Sequence, residues 1–281
     1  MHQHDYKSFY DERRDQTYAQ DYTKIRPEEH GHYKELKAFV EAYDLKNKKC
    51  LEIGSSGGFF QDMVEDYYGT DIAHSLAQYY HKPYRVAEGP NYPFDDQMFD
   101  AIWTITVFEH IPHLQQALLE VKRLLKPGGV VLFSPAWQCR PWAADGYAVR
   151  PYSDFDFKGK LVKASIPIRD SVIWRGLFVF PKRLWRHFRF LLGKRYTEIL
   201  YKKLIPNYKI YWISDADACN HIDPHDAILW FASHGFDCLS HPLHRKALTV
   251  RTGGIVLMKR EDSAEKGAPP DGNSAGLHCR R

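Results

Sequence analysis

The sequence predicts an α/β protein: an open, doubly wound, mostly parallel sheet with an α-rich insertion after its fifth strand. Three observations predict it. A short apolar run (Cys50, Leu51, Ile53) stops at a Gly/Ser cluster and gives way to apolar residues at helical spacing, Phe59, Phe60, Met63 and Val64, the pattern of strand, tight turn and helix. Further short β-prone runs then alternate with helical patterns as far as Ser134. After a long stretch of different character, a capped helix and two strands close the pattern.

Composition bounds the rest. The chain has 281 residues, 44% hydrophobic and 26% charged, as in an ordinary globular protein. No run of eighteen apolar residues is present, so no membrane-crossing helix is expected. Met1 to Tyr10 is polar, unlike a secretory leader. Five cysteines lack Cys-x-x-Cys spacing, which fits a reduced, cytoplasmic setting. The net charge of +4 is uneven: Lys158 to Lys209 holds fourteen Lys or Arg against two acids, +12, which leaves −8 for the remainder.

At the first turn, Glu52-Ile53-Gly54-Ser55-Ser56-Gly57-Gly58, small residues let a ligand approach the backbone, and free N–H groups favour an anionic group. The spacing is not the dinucleotide fingerprint, which needs glycine at 56. It resembles the first motif of class I S-adenosylmethionine-dependent methyltransferases of the type 11-like kind, acidic-x-Gly-x-Gly-x-Gly, with Glu52, Gly54 and Gly58 in three of its four fixed positions. Ser56 replaces the central glycine and is expected at negative φ. The resemblance implies a Rossmann-like, seven-stranded fold, S-adenosyl-L-methionine as cofactor, and cofactor contacts from Glu52, Gly54, Ser55, Ser56 and Gly58.

In chain order, residues 1–29 read as a solvated arm; the resemblance implies instead a lid over the cofactor, with a role for Tyr18 and Tyr22. A methyltransferase domain over 30–260 follows, opening with a helix from His32 to Tyr43. The second strand, Tyr67 to Ile72, carries Asp71, 19 residues beyond Glu52; a strand-end carboxylate there accepts from both ribose hydroxyls, or caps a helix over Ala73–Tyr80. Tyr84 to Gly89 is the third strand. Glu88 falls where the family has an adenine-binding acid, and the resemblance places Ile72, Gly89 and Thr104 in the same pocket. Asp100 to Ile105 is the fourth strand, followed by Glu109-His110-Ile111, a family signature. Leu114, Ala117, Leu118, Val121 and Leu124 make one helix face. Lys126-Pro127-Gly128-Gly129 ends it before the fifth strand, Val130–Ser134. Asp223-Pro224-His225-Asp226 starts the closing helix; Phe236–Leu239 and Gly254–Met258 are the last strands, antiparallel in the family. A tail over 261–281 reads as disordered.

The insertion, 136–222, is where acceptor choice is expected. Between 172 and 195 aromatic and aliphatic residues alternate with Arg175, Lys182, Arg183, Arg186, Arg189, Lys194 and Arg195. Two readings stand: an amphipathic segment on an anionic membrane surface, or a cap whose apolar side packs inward and whose basic side is solvated. No nucleic-acid motif accompanies the charge. A hydroxyl acceptor would use a general base, for which His110, Asp215, Asp217 and His221 are candidates; no tight metal-ligand pattern is present. The weak resemblance of the insertion to enzymes of polysaccharide or lipopolysaccharide synthesis implies O-methylation of a sugar or lipid-linked glycan at the inner face of a membrane. Two alternatives remain open, an NAD(P)-dependent oxidoreductase and a non-catalytic S-adenosylmethionine-binding module.

Overall fold

Lys49–Ile53 forms β1, buried from Cys50 onward, as a strand covered on both faces requires. The computed structural model describes residues 3–13, 26–210, 212–242 and 245–261; Tyr18, Tyr22 and the tail beyond Glu261 lie outside them. The other strands are β2 (Asp66–Asp71), β3 (Tyr84–Val86), β4 (Phe99–Ile105), β5 (Leu125–Ser134), β6 (Tyr201–Lys203), β7 (Asn220–Ile222), β8 (Phe236–Cys238) and β9 (Ile255–Lys259). Seven form one sheet in the order β3-β2-β1-β4-β5-β9-β8, and β6 and β7 pair separately. The first five run parallel, and β9 is antiparallel to both its neighbours. Strand order therefore reverses between β1 and β4, where a crevice opens at the carboxyl edge.

The helices are α1 (Gln3–Ser8), α2 (Tyr33–Ala42), α3 (Leu114–Leu124), α4 (Phe157–Asp170), α5 (Phe180–Leu191) and α6 (Pro224–Ser233), with a short turn over Arg245–Thr249. Alternation along the strands divides the core. Leu51, Ile53, Ile102, Val131 and Phe133 pack on one face with Leu118 and Val121 of α3 and Ile228 and Phe231 of α6. Cys50, Ala101, Trp103, Val130 and Leu132 face the other way, onto Leu36, Phe39 and Val40 of α2. The expected faces of α3 and α6 are those buried, and Asp223 caps α6 by accepting from the His225 N–H at 3.0 Å.

The expected helix after the first turn does not form. Residues 59–65 make successive tight turns, such as Met63 N–H to the Phe60 carbonyl at 3.0 Å. Seven helical residues would advance roughly 10 Å, too little to return along a five-residue strand of roughly 16 Å. For Ala73–Tyr80 a 3₁₀ segment, His74–Tyr79, takes the place of an α-helix, and the third strand stops at Val86.

The inward-packing expectation for 172–195 is reversed. Val172–Trp174 and a π-turn over Arg175–Val179 lead into α5, with Pro181 in its first turn, where proline is tolerated. Arg183 and His187 of α5 are buried, while Leu184, Trp185, Phe188 and Leu191 are exposed. The polar stripe faces the protein because α6 offers it partners: Arg183 to Asp223 at 2.9 Å, Arg186 to Asp226 at 2.5 Å, and His187 Nδ1 to His225 Nε2 at 3.2 Å.

Candidate active site

The turn after β1 is held against β2 by its own backbone. Gly54 and Ser55 N–H both donate to the Thr70 carbonyl, at 2.8 and 3.1 Å. Gly54 has φ +73°, and a Cβ there would lie 2.1 Å from a Val107 methyl, so this position admits only glycine. Ser56 has φ +49°, not the negative value expected. Its N–H donates to Asp71 Oδ2 at 2.9 Å, while Asp71 Oδ1 accepts from the Ile72 N–H at 2.8 Å. The Tyr80 hydroxyl sits 2.7 Å from both Ser55 Oγ and the Ser56 carbonyl. Those contacts fix a left-handed serine that otherwise costs roughly 1–2 kcal/mol.

Beside this turn lies a cleft of about 510 Å³. Glu52, Gly54, Ser55, Ser56, Asp71, Ile72 and Gly89 line it, so seven of the ten expected cofactor residues meet there. Three do not. Gly58 closes the turn against Tyr80; Glu88 sits between the lining residues Ala87 and Gly89 without lining the cleft itself; and Thr104 is buried within β4, one residue before the lining pair Ile105 and Thr106. Strand alternation along β4 accounts for Thr104, whereas Glu88 lies past the end of the third strand at Val86. Glu52 is 5% exposed and accepts from the Tyr67 hydroxyl at 2.6 Å. Burial pushes its carboxyl up to about 8, because the charged form loses its water. Thr106, a β-branched residue at φ +54°, marks backbone strain at the mouth of the cleft.

His110 lines the same cleft between two carboxylates. Its Nδ1 lies 3.3 Å from Asp217 Oδ2 and its Nε2 lies 3.5 Å from Glu109 Oε1. Asp217, 1% exposed, also accepts from the Tyr10 hydroxyl at 2.8 Å. Burial raises the Glu109 carboxyl above its ordinary range. The loop that carries His110 is clamped from the insertion: Asn220 Nδ2 donates to the carbonyls of Phe108 and Ile111, at 3.0 and 2.7 Å.

Of the four expected catalytic side chains, His110 and Asp217 come together. Asp215 and His221 are not brought to the cleft. On β7 the alternation that turns Asn220 inward sends His221 the other way, where its Nδ1 meets the Cys139 carbonyl at 2.8 Å. Asp215 sits in a left-handed turn at φ +67°, its carboxylate against Ser214 Oγ. Sequence reasoning missed Tyr6, Tyr10, Tyr67, Tyr80, Glu109 and Asn220; only Glu109, beside His110, carried a local signal. Tyr6 and Tyr10 reach the cleft from α1 and the π-turn Phe9–Arg13, and with Phe9 they bury Ile72 in a small aromatic cluster. Among the described residues no three or more His, Cys, Asp or Glu are grouped to hold a metal ion.

The residues present fit a nucleoside sulfonium. A partly buried carboxylate stands at a strand end, the small-residue turn beside it is closed to side chains, and the walls at Ile72, Ala87 and Ile111 are apolar. The volume lies within the usual range for small-molecule sites.

Residues 51–133 match the family model described as "Methyltransferase domain". The malonyl-[acyl-carrier protein] O-methyltransferase 1 of Coxiella burnetii is 32% identical over 141 residues, which is 44% of this chain and 50% of that protein. The phthiotriol/phenolphthiotriol dimycocerosates methyltransferase of Mycobacterium tuberculosis is 29% identical over 118 residues, 36% of this chain and 44% of that one. The chain thus spans about half the length of these curated relatives or less. Among solved structures, the PH0226 protein of Pyrococcus horikoshii superposes with a TM-score of 0.34 and 18% identity, covering 52% of this chain and 88% of that one. The segment that carries the glycine turn and Asp71 is thus similar to a methyltransferase domain over residues 51–133.

Proposed function

We propose that the protein transfers a methyl group from S-adenosylmethionine to a hydroxyl acceptor. The observation that carries this reading is Asp71: its carboxylate is fixed by the Ser56 and Ile72 N–H groups at the rim of the cleft between β1 and β4. Asp71 would accept from the ribose, the 54–56 turn and Glu52 would hold the amino-acid end, and Ile72, Ala87 and Gly89 would enclose the adenine. S-adenosylmethionine would supply an electrophilic methyl on a positive sulfur, passing to the acceptor oxygen as the C–S bond breaks and the neutral thioether S-adenosylhomocysteine leaves. His110, beside the cleft, takes the acceptor's proton at Nε2, the nitrogen that lies 3.5 Å from Glu109 Oε1; Asp217 facing Nδ1 favours the tautomer with its proton on Nδ1. Tyr10 holds Asp217 in place and, with Tyr6, covers the cleft and keeps water out.

The acceptor enters beside the arm. Phe9 lines a second, outer hollow of about 1020 Å³ together with Lys202, Lys203 and Tyr208, while the next residue, Tyr10, lines the cleft. Lysines around such a hollow suit a phosphate-bearing group, which supports a lipid-linked sugar or glycan as acceptor. The relatives' names, one an O-methyltransferase and one acting on dimycocerosates of phthiotriol, agree with an oxygen acceptor on a lipid or carrier. We place the reaction at the inner face of a membrane, with contact through 172–195.

Two measurements test the reading. Titration calorimetry with S-adenosylhomocysteine is expected to show binding that Asp71→Ala weakens about 100-fold, the worth of two hydrogen bonds to a charged acceptor. A screen of acceptors with radiolabelled methyl donor is expected to show turnover that His110→Asn lowers about 100-fold or more while donor affinity stays within about twofold. Absence of S-adenosylhomocysteine binding would sink the cofactor; turnover of amines alone would sink the hydroxyl acceptor, and turnover of small phenols but no glycan would sink the sugar or glycan.

A further inference from the structure

We infer that the outward face of residues 172–192 is a docking surface for an anionic lipid bilayer. This deepens the membrane contact proposed above and stands apart from methyl transfer. The face is built, not incidental. On α5 the residues at helical spacing 183, 186 and 187 are tied inward to Asp223, Asp226 and His225. Arg183 also donates to the carbonyls of Leu248 and Val250, at 2.9 and 2.7 Å. With the polar stripe committed to the protein, the apolar stripe has only the outside to face. Val172, Ile173 and Leu177 are 65–75% exposed, and Leu184, Trp185, Phe188, Leu191 and Leu192 are 49–72% exposed. So many large apolar side chains in one continuous stretch exceed what a free surface carries.

Charge selects the occupant. Lys182, Arg189, Lys194 and Arg195 border this face, and none has a carboxylate within 4.0 Å among the described residues. Across 158–209 the excess is +12. A second copy of the chain would set like charge against like charge. A nucleic acid would meet exposed aliphatics, with which its phosphates have no favourable contact. Anionic headgroups satisfy the rim while acyl chains take the apolar stripe, the pattern of a helix that lies in the interface plane. No helix among the described residues is long and apolar enough to cross a membrane, so the segment lies on the bilayer. The same α6 cap residue that holds Arg183, Asp223, follows β7 by one position, and β7 carries the Asn220 clamp on the His110 loop.

The test uses the full chain and vesicle co-sedimentation, with phosphatidylcholine alone or mixed with phosphatidylglycerol. Expected is binding to the anionic vesicles that falls about fivefold for each of Lys182→Gln and Arg189→Gln, and about 100-fold for Leu184→Ser, Trp185→Ser and Phe188→Ser combined. These side chains are exposed, so unchanged thermal unfolding is expected to show that the variants fold. Vesicle binding by wild type that the triple variant leaves intact would overturn the inference. So would a wild-type chain that ignores vesicles, whether it stays monomeric or forms a dimer that the triple variant dissociates. Because no methyl donor is present, the outcome is independent of whether the cleft is catalytic.

Discussion

Glu52 gives the sharpest handle on the cleft. Its carboxyl is 5% exposed and is pushed up to about 8 by burial, so at neutral pH the empty site holds a proton there. A ligand that sets its ammonium beside this carboxyl binds the ionised form and must displace that proton. The ionised fraction is about 1% at pH 6.0 and about 24% at pH 7.5, so the apparent Kd for S-adenosylhomocysteine is expected to fall about 25-fold across that interval. At pH 7.5 about 0.8 of a proton is released on binding, readable by calorimetry in buffers of different ionisation enthalpy. Glu52→Gln keeps an oxygen for the Tyr67 hydroxyl and is expected to flatten the pH profile. It is also expected to raise stability at pH 7. The folded chain retains a proton that the unfolded chain gives up near pH 4.5, so stability is lost as pH rises from there toward 8, by about 3 kcal/mol at pH 7. A wild-type Kd constant between pH 6.0 and 7.5, with no buffer-dependent heat, would refute the reasoning.

Other expectations concern the turn and the insertion. Ser56→Gly relieves the left-handed strain at φ +49° and is expected to raise stability by about 1 kcal/mol, or a few degrees in Tm. Arg183→Met strands the buried Asp223 carboxylate and is expected to cost about 3–5 kcal/mol in chemical denaturation; a loss under 1 kcal/mol would mean that the pair does not anchor α5. His225, held neutral by burial and lowered to about 3, binds its proton in the unfolded chain from pH 6.5 downward. Stability is therefore expected to fall as pH drops from about 6.5 to 3, and His225→Gln to blunt that loss in a pH series of thermal melts.

The sheet was legible because its strands are short apolar runs cut by glycine and proline, and because α3 and α6 declare themselves by spacing and capping. The helix after β1 was misread because Phe59, Phe60, Met63 and Val64 satisfy helical periodicity, while the length needed to return to β2 depends on a strand that periodicity does not measure. Ser56 was misjudged because a left-handed serine is stabilised by Asp71 and Tyr80, fifteen and twenty-four residues away. The site's local parts, Glu52 through Ser56 and Asp71, were readable from one turn and one strand end. Tyr10, Asn220 and the pairing of Asp217 with His110 were not, since each joins segments about a hundred residues or more apart. The orientation of α5 was hidden for a like reason: its polar stripe has meaning only once Asp223 and Asp226 lie beneath it.

The Asn220–Asp223 stretch, where the insertion runs into α6, has a second identity. Its first side chain grips the loop bearing His110, and its last receives the guanidinium of the outer helix. Exchanging the segment for that of a related protein would transplant a hinge pin along with a cap. A graft ending before residue 220 leaves the recipient's loop and the donor's helix fastened to different frames, whereas one ending after 223 carries both fastenings together.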